Sequence, residues 1–377
     1  MPKRIRIQAS NLNESQLVRI FPRESVCALE TEHHCLVAGQ SPSESSHLQI
    51  LDHQPSTKID QQWVDIGSEV YQIKENDVLL VNPGKKIIQV LYSEDSNANI
   101  IYLTSQCNSK CLMCPQPPKE IDEVDDEWLN MHIECLPDSI SELCITGGEP
   151  TLHIERLVKT LEKIANKNSE CHVHVLSNAR LCAKTQLVKR IVSSGLKNLS
   201  FGVPLYAADP TIHDYIVQAE GAFDESVGGI YKLASNGVGI EIRIVLHKQT
   251  IPELECLVDF IYNKFPFVDH VAFMAMEHMG FVKKNWDSLW ISPETYQKEL
   301  YRAINYLYRR RINCSIYNLP HCLCNKGLWP FLRKSISDYK VDFQEKCTQC
   351  SKFSECGGLF HYQRDIYPIK TIKGSQP

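Results

Sequence analysis

The chain has 377 residues, of which 43% are hydrophobic and 23% are charged, so it can bury the core of a large globular domain with smaller additions. Its formal net charge of -5 argues against broad nucleic-acid binding, which needs a basic face. The N-terminal segment has no apolar run like that of a secretory signal, and no stretch approaches the roughly 18 apolar residues of a membrane span. We therefore expect a cytoplasmic protein with no nucleic-acid or membrane partner.

Residues 1–96 are predicted to form a β-rich N-terminal domain. In the segment DVLLVNPGKKIIQVLYS, two runs of Val, Ile and Leu flank an Asn-Pro-Gly sequence, which is typical of a hairpin turn. The polar segment SPSESSH at 41–47 predicts a loop. No residue type or spacing in this part indicates chemistry.

From residue 97 to 295 the pattern changes to strands that alternate with helices. Runs such as ANIIYLT and CHVHVLS predict strands, whereas IERLVKTLEKIAN predicts a helix because its apolar residues recur along one face. About six such β–α units follow one another, and a series of this kind forms a parallel sheet that is open or curved into a barrel. In either arrangement, functional residues collect at the carboxyl ends of the strands.

The sixteen cysteines separate into scattered and clustered positions. In a reducing compartment they are expected to be thiols or metal ligands. The scattered ones are Cys27, Cys35, Cys135, Cys144, Cys171, Cys182, Cys256 and Cys314, and most of these should be small buried residues. The clustered ones form a group of three near residue 110 and a group of five in residues 296–377, which we expect to be a small C-terminal module.

The first group is the segment CNSKCLMC, which contains Cys107, Cys111 and Cys114. Structural zinc sites are usually closed by four ligands and disulfides need pairs, so three converging thiolates leave one coordination position open. Thiolates select iron–sulfur clusters, zinc or copper. A three-then-two spacing directly after the first strand resembles the radical S-adenosylmethionine (radical SAM) enzymes. This resemblance implies a 4Fe–4S cluster whose fourth iron binds S-adenosylmethionine, with zinc as the alternative for the triad alone.

A second segment supports this resemblance, and it comprises Gly147, Gly148, Glu149 and Pro150. It follows the second predicted strand, where a GGEP sequence in radical SAM enzymes binds the amino group of the cofactor's methionine part. The chemistry is suitable, because glycines allow close approach of the backbone and a carboxylate accepts charge-assisted bonds from an ammonium group.

Three further cofactor-binding residues are implied by the same resemblance. Ser177 and Asn178 end the third strand, where this fold often contacts the cofactor. Arg243 lies on the fifth strand and can pair with the cofactor carboxylate, although a salt bridge within the barrel wall is an equal alternative. Met113 is a departure from the family pattern, which has an aromatic residue before the third cysteine, near the adenine. A methionine can fill that space.

The second cysteine group resembles the auxiliary-cluster modules (SPASM and twitch) of peptide-modifying radical SAM enzymes. Its core is CTQCSKFSECGG, in which Cys347, Cys350 and Cys356 are spaced two then five. The resemblance implies an auxiliary 4Fe–4S cluster with Cys322 as our choice of fourth ligand. Cys324 is the competing ligand, and a structural zinc site with four thiolates is the alternative to a cluster.

Most of the chain from about 75 to 360 resembles the His-Xaa-Ser system radical SAM maturases of the HxsC type. The segments that carry this resemblance are CLMCPQPPKEID, ITGGEPTL, VPLYAADPTIHDYIVQAEGAFD, IEIRIVLHKQT, FVDHVAFM, LWPF with SISDYK, and CTQC with CGG. The resemblance implies an α/β fold in which a partial (β/α)6 radical SAM barrel at 97–295 lies between the β-rich domain and the C-terminal iron–sulfur module.

The same resemblance implies a function. One electron splits S-adenosylmethionine into methionine and a 5′-deoxyadenosyl radical, which abstracts hydrogen from a ribosomally made precursor peptide with His-Xaa-Ser repeats and leaves a cross-linked or oxidised residue. The expected partners are that peptide, a second radical SAM maturase, a small helper protein and a reducing electron donor. Two alternatives remain, a radical SAM enzyme that acts on a small metabolite and a non-enzymatic zinc-binding scaffold.

Overall fold

The computed structural model of the chain describes residues 3–20, 35–39, 48–51, 62–335, 341–360, 363 and 366–372. The predicted loop at 41–47 lies outside these residues. Within the described ranges, none of the helices has both the length and the apolar character that crossing a membrane requires.

Eight strands at the start of the chain form the first sheet. They are β1 (Lys3–Arg6), β2 (Ala9–Ser10), β3 (Gln16–Ile20), β4 (Cys35–Gly39), β5 (Leu48–Leu51), β6 (Trp63–Asp65), β7 (Val78–Asn82) and β8 (Ile87–Tyr92). Their order in the sheet is β1-β8-β7-β3-β4-β5-β6-β2. Strands β7 and β8 pair antiparallel around the Asn-Pro-Gly turn, which confirms the predicted hairpin.

The first sheet closes on itself, because its two edge strands are neighbours in sequence. Only Ile7 and Gln8 separate β1 from β2, a link that reaches at most about 11 Å. The Ile7 N–H donates to the Lys86 carbonyl (3.0 Å), and the Gln8 N–H donates to the Asp65 carbonyl (2.8 Å). The residues of these strands that turn inward are apolar and buried, including Ile5, Ile20, Ile50, Val64, Leu79 and Ile88.

Seven parallel strands form the second sheet, in the order in which they follow along the chain. They are β9 (Ile100–Tyr102), β10 (Glu142–Thr146), β11 (His172–Leu176), β12 (Asn198–Pro204), β13 (Gly239–Leu246), β14 (His270–Ala275) and β15 (Cys314–Tyr317). The first six are the predicted strands, so the predicted mixed α/β fold with a parallel sheet is confirmed. The seventh, β15, was not predicted and lies beyond residue 295. The domain boundaries at 96 and 295 remain predictions.

Most of the helices connect these parallel strands. They are α1 (Asp126–Cys135), α2 (Ile154–Lys167), α3 (Thr185–Val192), α4 (Pro210–Val217), α5 (Ala222–Ala234), α6 (Leu254–Lys264), α7 (Trp286–Leu289) and α8 (Gln297–Arg309). In α2 the buried residues include Leu157, Val158, Leu161 and Ile164, as the apolar stripe predicts. These side chains belong to the main core of the molecule, between the helices and the sheet.

Beyond β15 the chain forms short 3-10 helices and one two-stranded antiparallel sheet, β16 (Val341–Asp342) with β17 (Leu359–Phe360). This part carries the second cysteine group. The first cysteine group, near residue 110, lies in the loop after β9. Because the strands of the second sheet are parallel, the loops after β9, β10 and β11 meet at one edge of it.

Gly67 follows β6 in the first sheet, and its left-handed backbone conformation can be tested by substitution. Its φ of +61° is strained for any L-residue, and a Cβ there would lie 2.2 Å from the Gln8 side chain. We expect Gly67→Ala to lower the free energy of unfolding by at least about 1 to 2 kcal/mol. The matched control is Gly84→Ala, which has space and an ordinary φ, and which should change it by less than about 0.5 kcal/mol. Urea unfolding measures both, and equal effects would contradict the left-handed backbone conformation of Gly67.

Candidate functional site

The cysteine loop, residues 105–116, is fixed by backbone contacts with elements that follow much later in the chain. The Lys110 N–H donates to the Val217 carbonyl (3.1 Å), and the Leu112 N–H donates to the Ile216 carbonyl (2.9 Å), both at the end of α4. The Asn285 side-chain amide donates to the Leu112 carbonyl (2.8 Å). The loop is therefore held in one conformation although it has no regular secondary structure.

The three cysteines of this loop are half-buried and are not joined by disulfides. Burial raises the pKa of the Cys107 thiol to about 12. Burial also raises the pKa of Cys111, and the neighbouring Cys114 and Cys107 raise it further, so the three thiols lie close enough to interact electrostatically. Thiols in such a place stay protonated at neutral pH, and a bound cationic metal centre is what ionises them.

The GGEP segment lies directly against the cysteine loop. A Cβ on Gly148 would lie 2.1 Å from the Gln106 carbonyl oxygen and 3.2 Å from the Cys107 Cβ. A Cβ on Gly147 would lie 2.5 Å from the Thr104 carbonyl oxygen. The Gly148 N–H donates to that Thr104 oxygen (2.7 Å). Glycine is required at both positions because the two backbones touch.

Glu149 is fully buried, and its carboxylate joins the loop after β10 to the loop after β11. Its Oε1 accepts bonds from the Thr151 N–H (2.9 Å), the Thr151 hydroxyl (2.5 Å) and the Ser177 hydroxyl (2.7 Å). Its Oε2 accepts one bond, from the Asn178 N–H (2.7 Å). Burial raises the pKa of Glu149 although these donors oppose the shift. Since a carboxylate oxygen has about two lone-pair sites, Oε2 retains acceptor capacity and Oε1 does not.

Ser177 and Asn178, which were predicted to bind the cofactor, lie at the same edge of the sheet. The Asn178 amide donates to the Asn108 side-chain oxygen in the cysteine loop (2.7 Å). The Ser177 hydroxyl accepts the Ala179 N–H (3.0 Å) in addition to donating to the GGEP segment. The Ser226 hydroxyl on α5 donates to the Asn178 carbonyl (2.9 Å). The structure thus brings both residues to the cysteine loop, and their role as cofactor ligands remains a prediction.

Arg243 on β13 makes a salt bridge within the sheet, which was one of the two alternatives for this residue. Its guanidinium donates to Glu241 Oε1 (2.7 Å) and lies 3.1 Å from the Met274 sulfur. The other oxygen of Glu241 bonds to His270 Nδ1 (2.9 Å), and His174 Nε2 lies 3.7 Å from Oε1. Burial alone would raise the pKa of Glu241, but these histidines and Arg243 outweigh burial and hold that pKa well below its ordinary value.

Four of the five cysteines in the second group line one cavity with an empty volume of about 360 Å³. They are Cys322, Cys347, Cys350 and Cys356. Burial raises the pKa of Cys322, and the other three thiols raise it further, which shows that the four lie close together. Cys324 is absent from the lining of this cavity, and burial raises its pKa to about 12. Cys322 and Cys356 add to the shift at Cys324, so Cys324 lies near the group without lining the cavity, and Cys322 as the fourth ligand remains a prediction.

His321 lines the same cavity and is 5% exposed. Its Nδ1 is buried and makes no hydrogen bond within the described residues. The Trp329 indole N–H donates to the His321 carbonyl (3.2 Å), so the backbone of this residue is fixed. An unpaired buried nitrogen costs about 1 to 3 kcal/mol, so a polar group bound in the cavity would stabilise it. The cysteine set and this nitrogen together fit an iron–sulfur cluster.

Two functional candidates were not predicted, His321 and Arg180. The Arg180 guanidinium donates to the Asn108 carbonyl (2.6 Å) and to the Ser109 hydroxyl (3.1 Å), both in the cysteine loop. The only signal in the sequence is position, because Arg180 directly follows the Ser-Asn-Ala segment at the end of β11. For His321, the signal is its place beside Cys322. In the described ranges, no three His, Cys, Asp or Glu side chains converge closely enough to hold a single metal ion.

Comparison with known proteins adds a family and a fold. Residues 101–261 match the model of the radical SAM superfamily. Native anSMEcpe with bound AdoMet has a TM-score of 0.52 at 17% identity, over 73% of this chain and 92% of that chain. Native anSMEcpe with bound AdoMet and Kp18Cys peptide has a TM-score of 0.53 at 17% identity, over 73% and 91%. No curated protein matches the chain in sequence.

SuiB from Streptococcus suis, bound to S-adenosylmethionine, has a TM-score of 0.46 at 17% identity, over 58% of this chain and 49% of that chain. The present chain therefore spans about half the length of SuiB. The family match places a radical SAM domain at residues 101–261, and the likeness to anSMEcpe shows a shared fold. The family that matches residues 101–261 implies S-adenosylmethionine and a 4Fe–4S cluster as cofactors.

The Glu241 network leads to a prediction about pH. Glu241→Gln should lower the free energy of unfolding at neutral pH by about 1.5 to 3 kcal/mol, because it removes hydrogen bonds to a charged group. The pKa of Glu241 is lower in the folded protein than in the unfolded one. Its contribution to the free energy of unfolding is therefore complete above the ordinary pKa of 4.5 and is lost as the pH falls below that value. The difference from the unmodified protein should narrow by about 1 kcal/mol between about pH 7 and about pH 4.

Urea unfolding at both pH values measures this difference. The matched control is Glu142→Gln, which removes a carboxylate that is 67% exposed and lies 3.9 Å from a histidine on the neighbouring strand. It should change the free energy of unfolding by less than about 1 kcal/mol at either pH. If the difference in the free energy of unfolding between Glu241→Gln and the unmodified protein stays constant over this pH range, the lowered pKa of Glu241 is contradicted.

Proposed function

We propose that this chain is a radical SAM peptide maturase whose first cluster is held by Cys107, Cys111 and Cys114. The observation that carries the proposal is the packing of the cysteine loop, whose three thiols interact, against the GGEP backbone at the carboxyl ends of a parallel sheet. Three thiolates leave one iron of a 4Fe–4S cluster for another ligand. When bound, the cluster and S-adenosylmethionine supply one-electron cleavage of the sulfonium, which gives methionine and a 5′-deoxyadenosyl radical that takes hydrogen from a C–H bond.

The surrounding residues orient the cofactor in this proposal. The GGEP segment takes its amino group, and Oε2 of Glu149 is the carboxylate oxygen that still has room for a donor. Met113 is buried with Tyr206 and Met276 in an apolar cluster beside the cysteine loop. This cluster supplies the apolar surface for the adenine that an aromatic residue supplies elsewhere in the family. Arg243 reaches the cofactor carboxylate only if it leaves or shares its salt bridge with Glu241.

The second cysteine group holds an auxiliary 4Fe–4S cluster in this proposal. Its ligands are Cys322, Cys347, Cys350 and Cys356, which line one cavity. The buried Nδ1 of His321, which has no partner in the described residues, would find one in a cluster bound in this cavity. A cluster with four protein ligands has no open iron, so it carries electrons instead of binding substrate. A cluster held by these residues would accept the electron that a substrate radical must lose when an oxidised or cross-linked product forms.

The substrate in this proposal is a ribosomally made precursor peptide with His-Xaa-Ser repeats. Two points support it: the resemblance of the segments between about 75 and 360 to the HxsC-type maturases, and the Kp18Cys peptide bound in an anSMEcpe structure of similar fold. On the basis of the same resemblance, we propose a second radical SAM maturase and a small helper protein as partners. An electron donor and a reducing compartment, the cytoplasm, complete the proposal.

Two alternatives predict different results. A radical SAM enzyme for a small metabolite would cleave its cofactor in response to that metabolite and not to the peptide. A zinc-binding scaffold would purify colourless, with zinc and without sulfide, from anaerobic cells. The match of residues 101–261 to the radical SAM superfamily favours the two enzymatic functions over the scaffold.

The auxiliary cluster is tested by metal analysis of anaerobically reconstituted protein. We expect about eight irons and eight sulfides per chain, falling to about four of each in Cys322→Ala, because one of the two clusters loses a ligand. Cys324→Ala is the matched control and should retain about eight irons, since Cys324 lies outside the cavity. Loss of iron from Cys324→Ala but not from Cys322→Ala would reverse the assignment. About four irons in the unmodified protein would show that it holds one cluster, and the auxiliary cluster would be refuted.

The substrate is tested by mass spectrometry of a His-Xaa-Ser repeat peptide that is co-expressed with the chain and its expected helper protein. Loss of two hydrogens, about 2 Da per modification, is the expected result for a cross-link or an oxidised residue. The control is the same peptide with the Cys111→Ala variant, which should leave the mass unchanged. If the enzyme forms 5′-deoxyadenosine and the mass of the peptide is unchanged, the peptide is refuted as the substrate and the small-metabolite alternative is favoured.

A further inference from the structure

Arg180 is a nearly buried positive charge that the proposed reaction does not yet use. It begins the 3-10 helix Arg180–Ala183 after β11, and its side chain is 12% exposed. Its Nη1 donates to the Asn108 carbonyl (2.6 Å) and to the Ser109 hydroxyl (3.1 Å). These two residues lie between Cys107 and Cys111. One guanidinium therefore fixes the segment that sets the separation of the first two thiols.

The backbone at this position is strained in a way that directs Arg180 toward the cysteine loop. Ala179 has a φ of +58°, in the left-handed region that L-residues seldom adopt. Gly229 on α5 lies so close that a Cβ there would be 2.0 Å from the Ala179 carbonyl oxygen. The Arg180 N–H also donates to the Asn178 side-chain oxygen (3.1 Å). This conformation is held by contacts on both sides, and it places the residues before and after Ala179 on the cysteine loop.

The charge of Arg180 acts on the thiols. Its bonds to the Asn108 carbonyl and the Ser109 hydroxyl place the guanidinium beside the stretch of chain that joins Cys107 to Cys111. Its only ion-pair partner in the described chain is Glu225 on α5, whose Oε2 lies 2.6 Å from Nε. The Glu225 side chain is 49% exposed, so solvent screens it more than it screens Arg180. The charge of Arg180 is therefore less screened than that of Glu225, and at Cys107 it acts against the buried carboxylate of Glu149.

We propose that Arg180 is a positioning residue that holds the cysteine loop and supplies a fixed positive charge which raises the reduction potential of the S-adenosylmethionine-binding cluster. Reduction adds an electron to the cluster, so a nearby cation stabilises the reduced form. The inference rests on the proposed function in one respect, that the cluster is held by Cys107, Cys111 and Cys114. In this proposal, the charge of Arg180 makes it easier for that cluster to take up an electron.

Potentiometric titration followed by electron paramagnetic resonance tests this proposal on the full, anaerobically reconstituted chain. The signal of the relevant cluster is recognised because it changes when S-adenosylmethionine is added. Arg180→Gln should shift its potential to more negative values, because the cation is lost. Arg180→Lys keeps the charge, so its potential should stay nearer to that of the unmodified protein. Glu225→Gln removes the anion that offsets Arg180, so the potential should shift in the opposite, positive direction.

Opposite shifts for Arg180→Gln and Glu225→Gln support the proposal, because general loosening of the loop would not move the potential in two directions. A potential that is unchanged in both variants overturns it. If Arg180→Gln fails to fold or to take up iron, Glu225→Gln alone decides, with a positive shift in support and no shift or a negative one against. Failure of the unmodified protein to bind any iron at the first site would instead refute the proposed function.

Discussion

The buried carboxylate of Glu149 is the interaction on which the geometry of the site depends. Its own N–H donates to the Gln106 carbonyl in the cysteine loop (2.7 Å), and its side chain accepts bonds from Thr151, Ser177 and Asn178. Three loops that follow three successive strands are thereby tied to one residue. A carboxylate without solvent contact is costly unless it is fully bonded, so these contacts hold the three loops in register.

Charge is distributed around the first cysteine group in an ordered way. The thiols lie at the edge of the sheet, where burial disfavours their ionised form, and Arg180 is the cation that opposes this effect. The carboxylate of Glu149 also acts on Cys107, where it raises the pKa of the thiol, and Glu225 lies partly in solvent. A cluster with three thiolates carries negative charge of its own. The protein can therefore adjust the ease of its reduction with a few fixed charges.

The local parts of the fold were predictable because they depend on periodicity and turn chemistry. The hairpin of β7 and β8, the six strands β9–β14 and the apolar face of α2 all follow from patterns within single segments. The strand β15 was not predicted, because it is four residues long and falls beside the second cysteine group. Closure of the first sheet depends on pairing between β2 and β6, which are more than fifty residues apart and leave no local pattern.

The site was predictable in its residue types but not in its contacts. The spacing of the cysteines and the GGEP segment placed both groups at the ends of successive strands, as the sheet order shows. The sequence could not separate Cys322 from Cys324, since ligand choice depends on which side chain faces the cavity. Arg180 and the unpaired nitrogen of His321 were missed for the same reason. Their importance lies in partners that are distant in the chain or that the polypeptide does not supply.

Formation of 5′-deoxyadenosine is the measurement that tests most directly whether the loop at 105–116 holds a cluster that binds and splits S-adenosylmethionine. The assay uses reconstituted protein, S-adenosylmethionine and dithionite under anaerobic conditions. The account predicts 5′-deoxyadenosine from the unmodified protein and from Cys256→Ala, which changes an exposed cysteine on α6, and none from Cys111→Ala. Product formation that persists in Cys111→Ala, or its absence from iron-loaded unmodified protein, would contradict the account.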